Sequence, residues 1–314
     1  MLKKAAKTAL VVGIASISGL TMAAGHSCST VRFSNVGWTD ISATTGLTTQ
    51  VLHGLGYKTT IDLLSVPVTF SSLKNKNIDV FLGNWMPTMK SIIKPYEKSG
   101  AVQVIGPNLV GAKYTLAVSR AAYDGGVHSF ADIAKYRKEF NGRIYGIEPG
   151  NDGNRLISDM IKKNAFGLGK FQLVSSSEAG MLSQVKRNIR RHKWIVFLGW
   201  EPHPMNTEFK MNYLKGGDDY FGPNYGGAKV YTNVRKGYLQ ECPNVGKLLT
   251  NLKFSLPMEN QIMGYIMNDG QQPSAAAKKW LKANPEVLTS WLAGVKTKSG
   301  GNGLVAVKKY LGVN

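Results

Sequence analysis

The sequence predicts an α/β protein whose two similar lobes face each other across a cleft. Three observations predict it. A short phrase occurs twice, as Phe81-Leu82-Gly83-Asn84-Trp85-Met86-Pro87 and as Phe197-Leu198-Gly199-Trp200-Glu201-Pro202. Strand-like and helix-like segments alternate before and after the first copy, which argues a parallel sheet covered by helices. A late strand, Lys229 to Val234, offers a return crossing to the first lobe. Each copy of the phrase closes an apolar run with Gly and Pro, the pattern of a buried strand entering a turn. A Trp therefore stands at the C-terminal end of each strand, and in open α/β sheets ligands bind in the crevice beyond those ends.

The elements follow in order. Val31 to Val36 reads as a strand, and Thr44 to Leu55 as a helix with Leu47, Val51, Leu52 and Leu55 on one side. Tyr57 to Leu64 is a second strand, Phe70 to Lys74 a short helix behind Pro67, and Ile78 to Leu82 a third strand. Tyr114 to Ser119 is a strand placed where the chain crosses to the second lobe. That lobe has its own series: a helix opened by Ser129, a strand from Arg143 to Ile147, a helix from Asn154 to Ile161 and a strand from Trp194 to Leu198. A Gly-rich irregular stretch, 216–227, precedes the return strand. The tail is helical, including Pro273 to Lys282 and Pro285 to Leu292. The expected division is a leader over 1–24, a discontinuous first lobe over 25–113 plus 230–314, and a second lobe over 114–229.

Residues 1–24 read as a cleavable secretory signal: Lys3, Lys4 and Lys7, then the apolar stretch Ala9 to Leu20, then the small-residue exit Thr21-Met22-Ala23-Ala24-Gly25. A short membrane-anchored N-terminus is the competing reading. Cys28 follows His26 and Ser27 instead of small residues, which argues against a lipid anchor. The only two cysteines are Cys28 and Cys242. In an exported chain an even pair favours a disulfide, which would tie the first strand to a late segment.

The formal net charge is +20, a balance that raises nucleic acid or an anionic surface as a partner. The densest basic stretch, Lys186 to Lys193, overlaps Met181, Leu182, Val185 and Ile189 at helical spacing, so its charges read as the solvated face of one amphipathic helix. No zinc spacing or RNA-binding signature accompanies it, and no nucleic acid is expected. Nothing in the sequence explains the excess charge.

Four aromatic residues stand at strand ends or crossings: Trp38, Trp85, Tyr114 and Trp200. Singly, each is an ordinary core or surface residue. Together they are suited to a box of electron-rich ring faces around a quaternary ammonium ion, which has no N–H donor and must be selected by shape and cation–π attraction. Asp40, two residues beyond Trp38, either caps the helix expected from Thr44 or adds Coulomb attraction beside the box. The segment Glu148-Pro149-Gly150-Asn151-Asp152-Gly153-Asn154 lacks the GxGxxG and Walker spacings. Its Asn151 either caps a helix, as Asp152 would, or bonds a small polar substituent.

Catalytic sets are missing. His26, His53, His128, His192 and His203 are scattered without metal-ligand spacing, and no metal or cofactor is expected. There is no G-x-S-x-G elbow. Asp40 and Glu201 supply one acid beside each of two Trp residues, a thin basis for a glycosidase. Trp platforms also bind sugars, so a carbohydrate-binding protein stays open.

Gly37-Trp38-Thr39-Asp40, Gly83 to Pro87, Tyr114, Pro149-Gly150-Asn151, Gly199 to Pro202 and Phe254-Ser255-Leu256-Pro257-Met258-Glu259-Asn260 closely resemble bacterial choline-binding proteins over nearly the whole mature chain. These are periplasmic substrate-binding components of ABC importers, related to glycine betaine receptors. The resemblance implies a two-lobe periplasmic binding protein of the type II Venus-flytrap kind, acting as a monomer with an inner-membrane ABC permease and no enzymatic activity. It implies that Trp38, Trp85, Tyr114 and Trp200 enclose a trimethylammonium group, that Asp40 contacts the cation and the hydroxyl end, and that Asn151 binds the hydroxyl. A glycine betaine or carnitine receptor is the alternative. Asp40 with Asn151 suits choline better, since betaine carries its own carboxylate.

Overall fold

The computed structural model describes residues 28–314; the expected leader lies outside them. Nine strands form one sheet: β1 (Thr30–Asn35), β2 (Lys58–Leu63), β3 (Val80–Met86), β4 (Val102–Ser119), β5 (Arg143–Tyr145), β6 (Gln172–Val174), β7 (Val196–Glu201), β8 (Met211–Tyr213) and β9 (Gly227–Arg235). Their order is β2-β1-β3-β9-β4-β7-β5-β6, with β8 paired to β4. The expected parallel sheet holds for β2-β1-β3 and for β7-β5-β6. Between these two halves the 18-residue β4 and its partner β9 run antiparallel to their neighbours, so the sheet is mixed. The expected crossings were short separate strands; the chain instead uses a twisted ribbon continuous with both halves. β4 pairs β9 as far as Lys113↔Gly227 and takes up β7 from Lys113↔Glu201.

Strand ends differ from expectation in a way that matters for the site. β3 runs on to Met86 and β7 to Glu201, so Trp85 and Trp200 are the penultimate residues of strands longer than expected, at their C-terminal ends as the sequence indicates. Trp85 lies opposite Val230, and Trp200 lies opposite Tyr114. Trp194 falls outside β7 and packs on Tyr136 and Phe140.

The first helix, α1 (Thr39–Gly54), begins five residues earlier than its apolar spacing indicates. Its buried Thr44 and Thr48 hydroxyls donate to the carbonyls one turn back, at 3.1 and 2.8 Å, which satisfies them without a polar face. Burial from Asp40 to Leu52 on nearly all sides marks α1 as a central helix. α2 (Val66–Lys74) has Pro67 in its first turn, where a missing N–H costs nothing. The Glu178–Arg190 helix buries Met181, Leu182 and Val185 and exposes Lys186, Arg187 and Arg190, as its spacing requires. The Gly-rich stretch contains two single turns, Asp218–Phe221 and Pro223–Gly226. Helices at Pro243–Asn251, Leu256–Met267 and Gly303–Leu311 complete the tail.

Two devices anchor the N-terminal end of β1. Cys28 and Cys242 form the expected disulfide across 214 residues of sequence. Buried Asp79 accepts from Arg32 Nη2 and Arg235 Nε, each at 2.7 Å, joining β1, the entry to β3 and the end of β9. The two guanidinium donors hold the Asp79 carboxyl below its usual range despite burial. Among the described residues no helix is long and apolar enough to cross a membrane.

Candidate functional site

β1 and β3 end at the cleft in one half of the sheet, and β5 and β7 end against them from the other half. Between the two sets of ends lies a cavity of about 250 Å³ lined by Trp38, Asp40, Trp85, Tyr114, Ile147, Asn151 and Trp200. All six residues expected from the sequence are brought together there. Ile147 is the addition, delivered by the segment after β5.

The rings are set by backbone, not by one another alone. Trp38 ends the loop after β1 and occupies the N-cap position of α1. Gly83 lets β3 approach α1 closely: a Cβ there would sit 2.7 Å from Ile41 Cδ1. Tyr114 projects from the crossing strand, with its ring centroid 5.9 Å from Trp85 and 6.3 Å from Trp200, at 61° and 84°. Such edge-to-face pairs are a favoured aromatic arrangement. Trp38, Trp85, Tyr114 and Trp200 are each 4–5% exposed.

Asp40 is 1% exposed and is not the helix N-cap; it lies in the first turn of α1. Its Oδ2 accepts from Trp85 Nε1 at 3.1 Å, while Oδ1 has no hydrogen-bond partner. Burial pushes its pKa up to about 7, with a further push from the charge of Glu178. An unpartnered carboxylate oxygen in a ring-lined cavity is costly unless a ligand meets it.

Asn151 fills the capping role and also meets a neighbouring ring. It is the N-cap of the Asp152–Lys162 helix, accepting from Asn154 N at 3.0 Å, and it accepts from Tyr114 Oη at 2.9 Å. Gly153 makes room for that hydroxyl, since a Cβ there would lie 2.1 Å from Tyr114 Oη. Burial raises the Tyr114 pKa well above its usual value, so the hydroxyl remains a donor.

Buried acids stand around the cavity, of which the sequence reading named only Asp152, and that as a helix cap. Glu148 accepts from Trp38 Nε1, and burial raises its pKa to about 7. Asp152 is raised to about 6 by burial. Glu259 is raised well above its usual value by burial and then by Asp40. Glu178 accepts from Thr39 N at 3.0 Å and from His203 Nε2 at 3.2 Å. Glu148 and Glu259 lie inside the segments quoted above, but no local pattern marks Glu178 or His203. Glu201 does not line the cavity; its carboxylate pairs with Lys113 Nζ at 3.0 Å, so it does not oppose Asp40 as a glycosidase would require. Among the described residues no cluster could hold a metal ion.

The arrangement is a small, ring-lined, acid-backed receptor site between two half-sheets. The family pattern for the substrate-binding domain of ABC-type glycine betaine transport systems matches residues 29–283. Among the solved structures that resemble the chain are these three. An ABC-transporter choline-binding protein in complex with choline is 61% identical, with a TM-score of 0.90 over 90% of this chain and 98% of that one. A choline-binding protein in an unliganded semi-closed conformation is 61% identical, with a TM-score of 0.84 over 91% and 99%. Lactococcal OpuAC, closed on glycine betaine, is 29% identical, with a TM-score of 0.75 over 83% and 98%. The chain belongs to the family of substrate-binding domains of ABC-type glycine betaine transport systems, and its fold is the two-lobe α/β fold of those receptors.

Proposed function

We propose that this chain captures choline between its lobes and delivers it to an ABC permease. The observation that carries the reading is the unpartnered Asp40 oxygen inside a cavity walled by Trp38, Trp85, Tyr114 and Trp200. Ring faces attract a trimethylammonium group from several sides, and Asp40 in its ionised form adds Coulomb attraction in a water-poor site. Asn151, facing the same cavity, receives the hydroxyl end. A site walled by only seven residues suits a small ion. The choline complex of the 61% identical structure supports the same ligand.

Glycine betaine is the second reading, favoured by the family's description and by the lactococcal complex. The cavity argues against it physically. Its lining contains a carboxylate and no Lys or Arg, so betaine's own carboxylate would meet Asp40 without a compensating cation.

The lobes are 25–113 plus 230–314 and 114–229, a boundary supported by the change of pairing partner along β4 at Lys113. The protein works as a periplasmic monomer, exported by a cleaved signal over 1–24, and binds without turnover. A thermal-shift panel of choline, glycine betaine, carnitine and maltose on the mature chain tests the reading. Choline should give the largest rise in Tm; a larger rise with betaine or maltose overturns it. Mass spectrometry after hours with excess choline should recover all of it, and loss beyond one equivalent would make the protein an enzyme.

A further inference from the structure

The N-terminus of α1 carries two of the site residues, Trp38 and Asp40, yet nothing in its own sequence caps it. Trp38 holds the N-cap position and makes no capping bond with its side chain. The first amide, Thr39 N–H, donates instead to Glu178 Oε2 at 3.0 Å, and Thr39 Oγ1 donates to Glu178 Oε1. Glu178 is 139 residues away in sequence and opens the helix that follows β6, on the other half of the sheet. It is 4% exposed. Its third donor is His203: Nδ1 of that ring accepts from Met205 N at 2.9 Å, which leaves the proton on Nε2, directed at Glu178. The His203 ring packs 4.8 Å from the Trp200 ring. One carboxylate thus touches the turn that places Trp38 and Asp40, and through His203 supports Trp200.

We propose that Glu178 is the closure latch of this receptor, a positioning residue that caps α1 across the cleft in the closed state and sets how slowly the ligand leaves. The proposal rests on the ligand reading above only for its probe. A carboxylate at a helix N-terminus satisfies orphan amides and complements the helix dipole. When the lobes part, Thr39 loses this acceptor and Glu178 keeps only His203. A second contact follows the same path, since Glu148 holds Trp38 Nε1 across the same gap. Closure also brings the charge of Glu178 towards Asp40, whose ionisation it opposes. A bound cation offsets that repulsion. The latch therefore engages most firmly around a positively charged ligand.

The test uses the mature chain, choline as the probe, and stopped-flow tryptophan fluorescence. Glu178→Ala should speed choline release by about ten-fold, the size expected for losing one good cap, with the association rate within two-fold. Thr39→Val removes the hydroxyl bond but keeps the charge of Glu178, and should speed release by a smaller factor. Spin labels on the two lobes should report a wider mean separation in ligand-free Glu178→Ala than in the ligand-free parent. An unchanged release rate in both variants, or an equal fall in association and rise in release, overturns the latch. If the parent binds no choline, the ligand reading fails, and the label distances still decide the latch: identical distributions overturn it. Should Glu178→Ala not fold, Thr39→Val carries both measurements.

Discussion

Trp85 and Trp200 occupy equivalent places: each ends a Phe-Leu-Gly strand, and each is followed two residues later by a proline in a cis peptide. Their surroundings differ. The indole N–H of Trp85 is held by Asp40, with Glu259 buried behind it in the same half. Trp200 is backed by the neutral face of Tyr114 and by the His203 ring, and the acid that follows it, Glu201, turns away to Lys113. The repeated phrase reproduces a ring position and not a charge. One wall of the cavity supplies rings with a carboxylate; the other supplies rings with the Tyr114–Asn151 pair. A ligand with one cationic end and one neutral polar end matches that asymmetry, and a zwitterion does not.

The largest way to break the comparison is to remove the charge from the first wall. Asp40→Asn keeps size but loses the carboxylate. Losing one member of a buried charge pair costs about 2 kcal/mol or more, so choline affinity by calorimetry should fall roughly 30-fold. Betaine affinity should hold or rise. A proportional fall for both ligands would make Asp40 a structural residue.

Next in size is removal of each ring. Trp85→Ala and Trp200→Ala should each weaken choline binding by roughly ten-fold, from about 0.5 to 2 kcal/mol of cation–π attraction plus lost contact. If the walls differ as described, Trp85→Ala should also disturb Asp40 and shift the pH profile, while Trp200→Ala should leave that profile in place. Identical profiles would erase the distinction.

The pH profile itself is the third test. Asp40 titrates at about 7 in the ligand-free protein, raised from 3.8. The charged form is the one that attracts the cation, so affinity should rise with pH through 7 and fall by up to about ten-fold between pH 8 and pH 6, with proton release on binding. In the absence of ligand the sign reverses for stability. Because the folded pKa is raised, the unfolded chain loses this proton first, and the fold loses stability as pH climbs from about 4 towards 7. The choline-induced rise in Tm should therefore be larger at pH 8 than at pH 6. A flat affinity profile would show that Asp40 is already charged throughout.

The smallest effect on binding should come from the disulfide. Cys28 lies before β1, whose other end leads to Trp38, so the bridge is remote from the cavity. Cys28→Ser with Cys242→Ser should lower stability by a few kcal/mol, as expected for a long closed loop, and leave choline affinity within two-fold. Free-thiol titration of the denatured, unreduced parent should find none.

The placement of Trp38, Trp85 and Trp200 at the ends of apolar strands was legible because a strand, its Gly and its Pro are neighbours in sequence, and local pattern suffices to order them. The basic face of the Glu178–Arg190 helix was legible for the same reason. The early start of α1 was not: Thr39 and Asp40 are polar, and only tertiary burial, with the Thr44 hydroxyl donating to the Asp40 carbonyl, sets that turn in a central helix. The antiparallel ribbon of β4 and β9 was also hidden, since pairing direction depends on contacts more than a hundred residues apart. So was the acid network. A lone Glu178 or His203 carries no periodicity and no motif; its role exists only because folding brings it against Thr39 or Trp200. Local chemistry in the sequence determined which side chains stand at strand ends. Which carboxylates face them, and across which gap, was decided by the tertiary structure, because electrostatic and hydrogen-bond partners are chosen by distance in space and not along the chain.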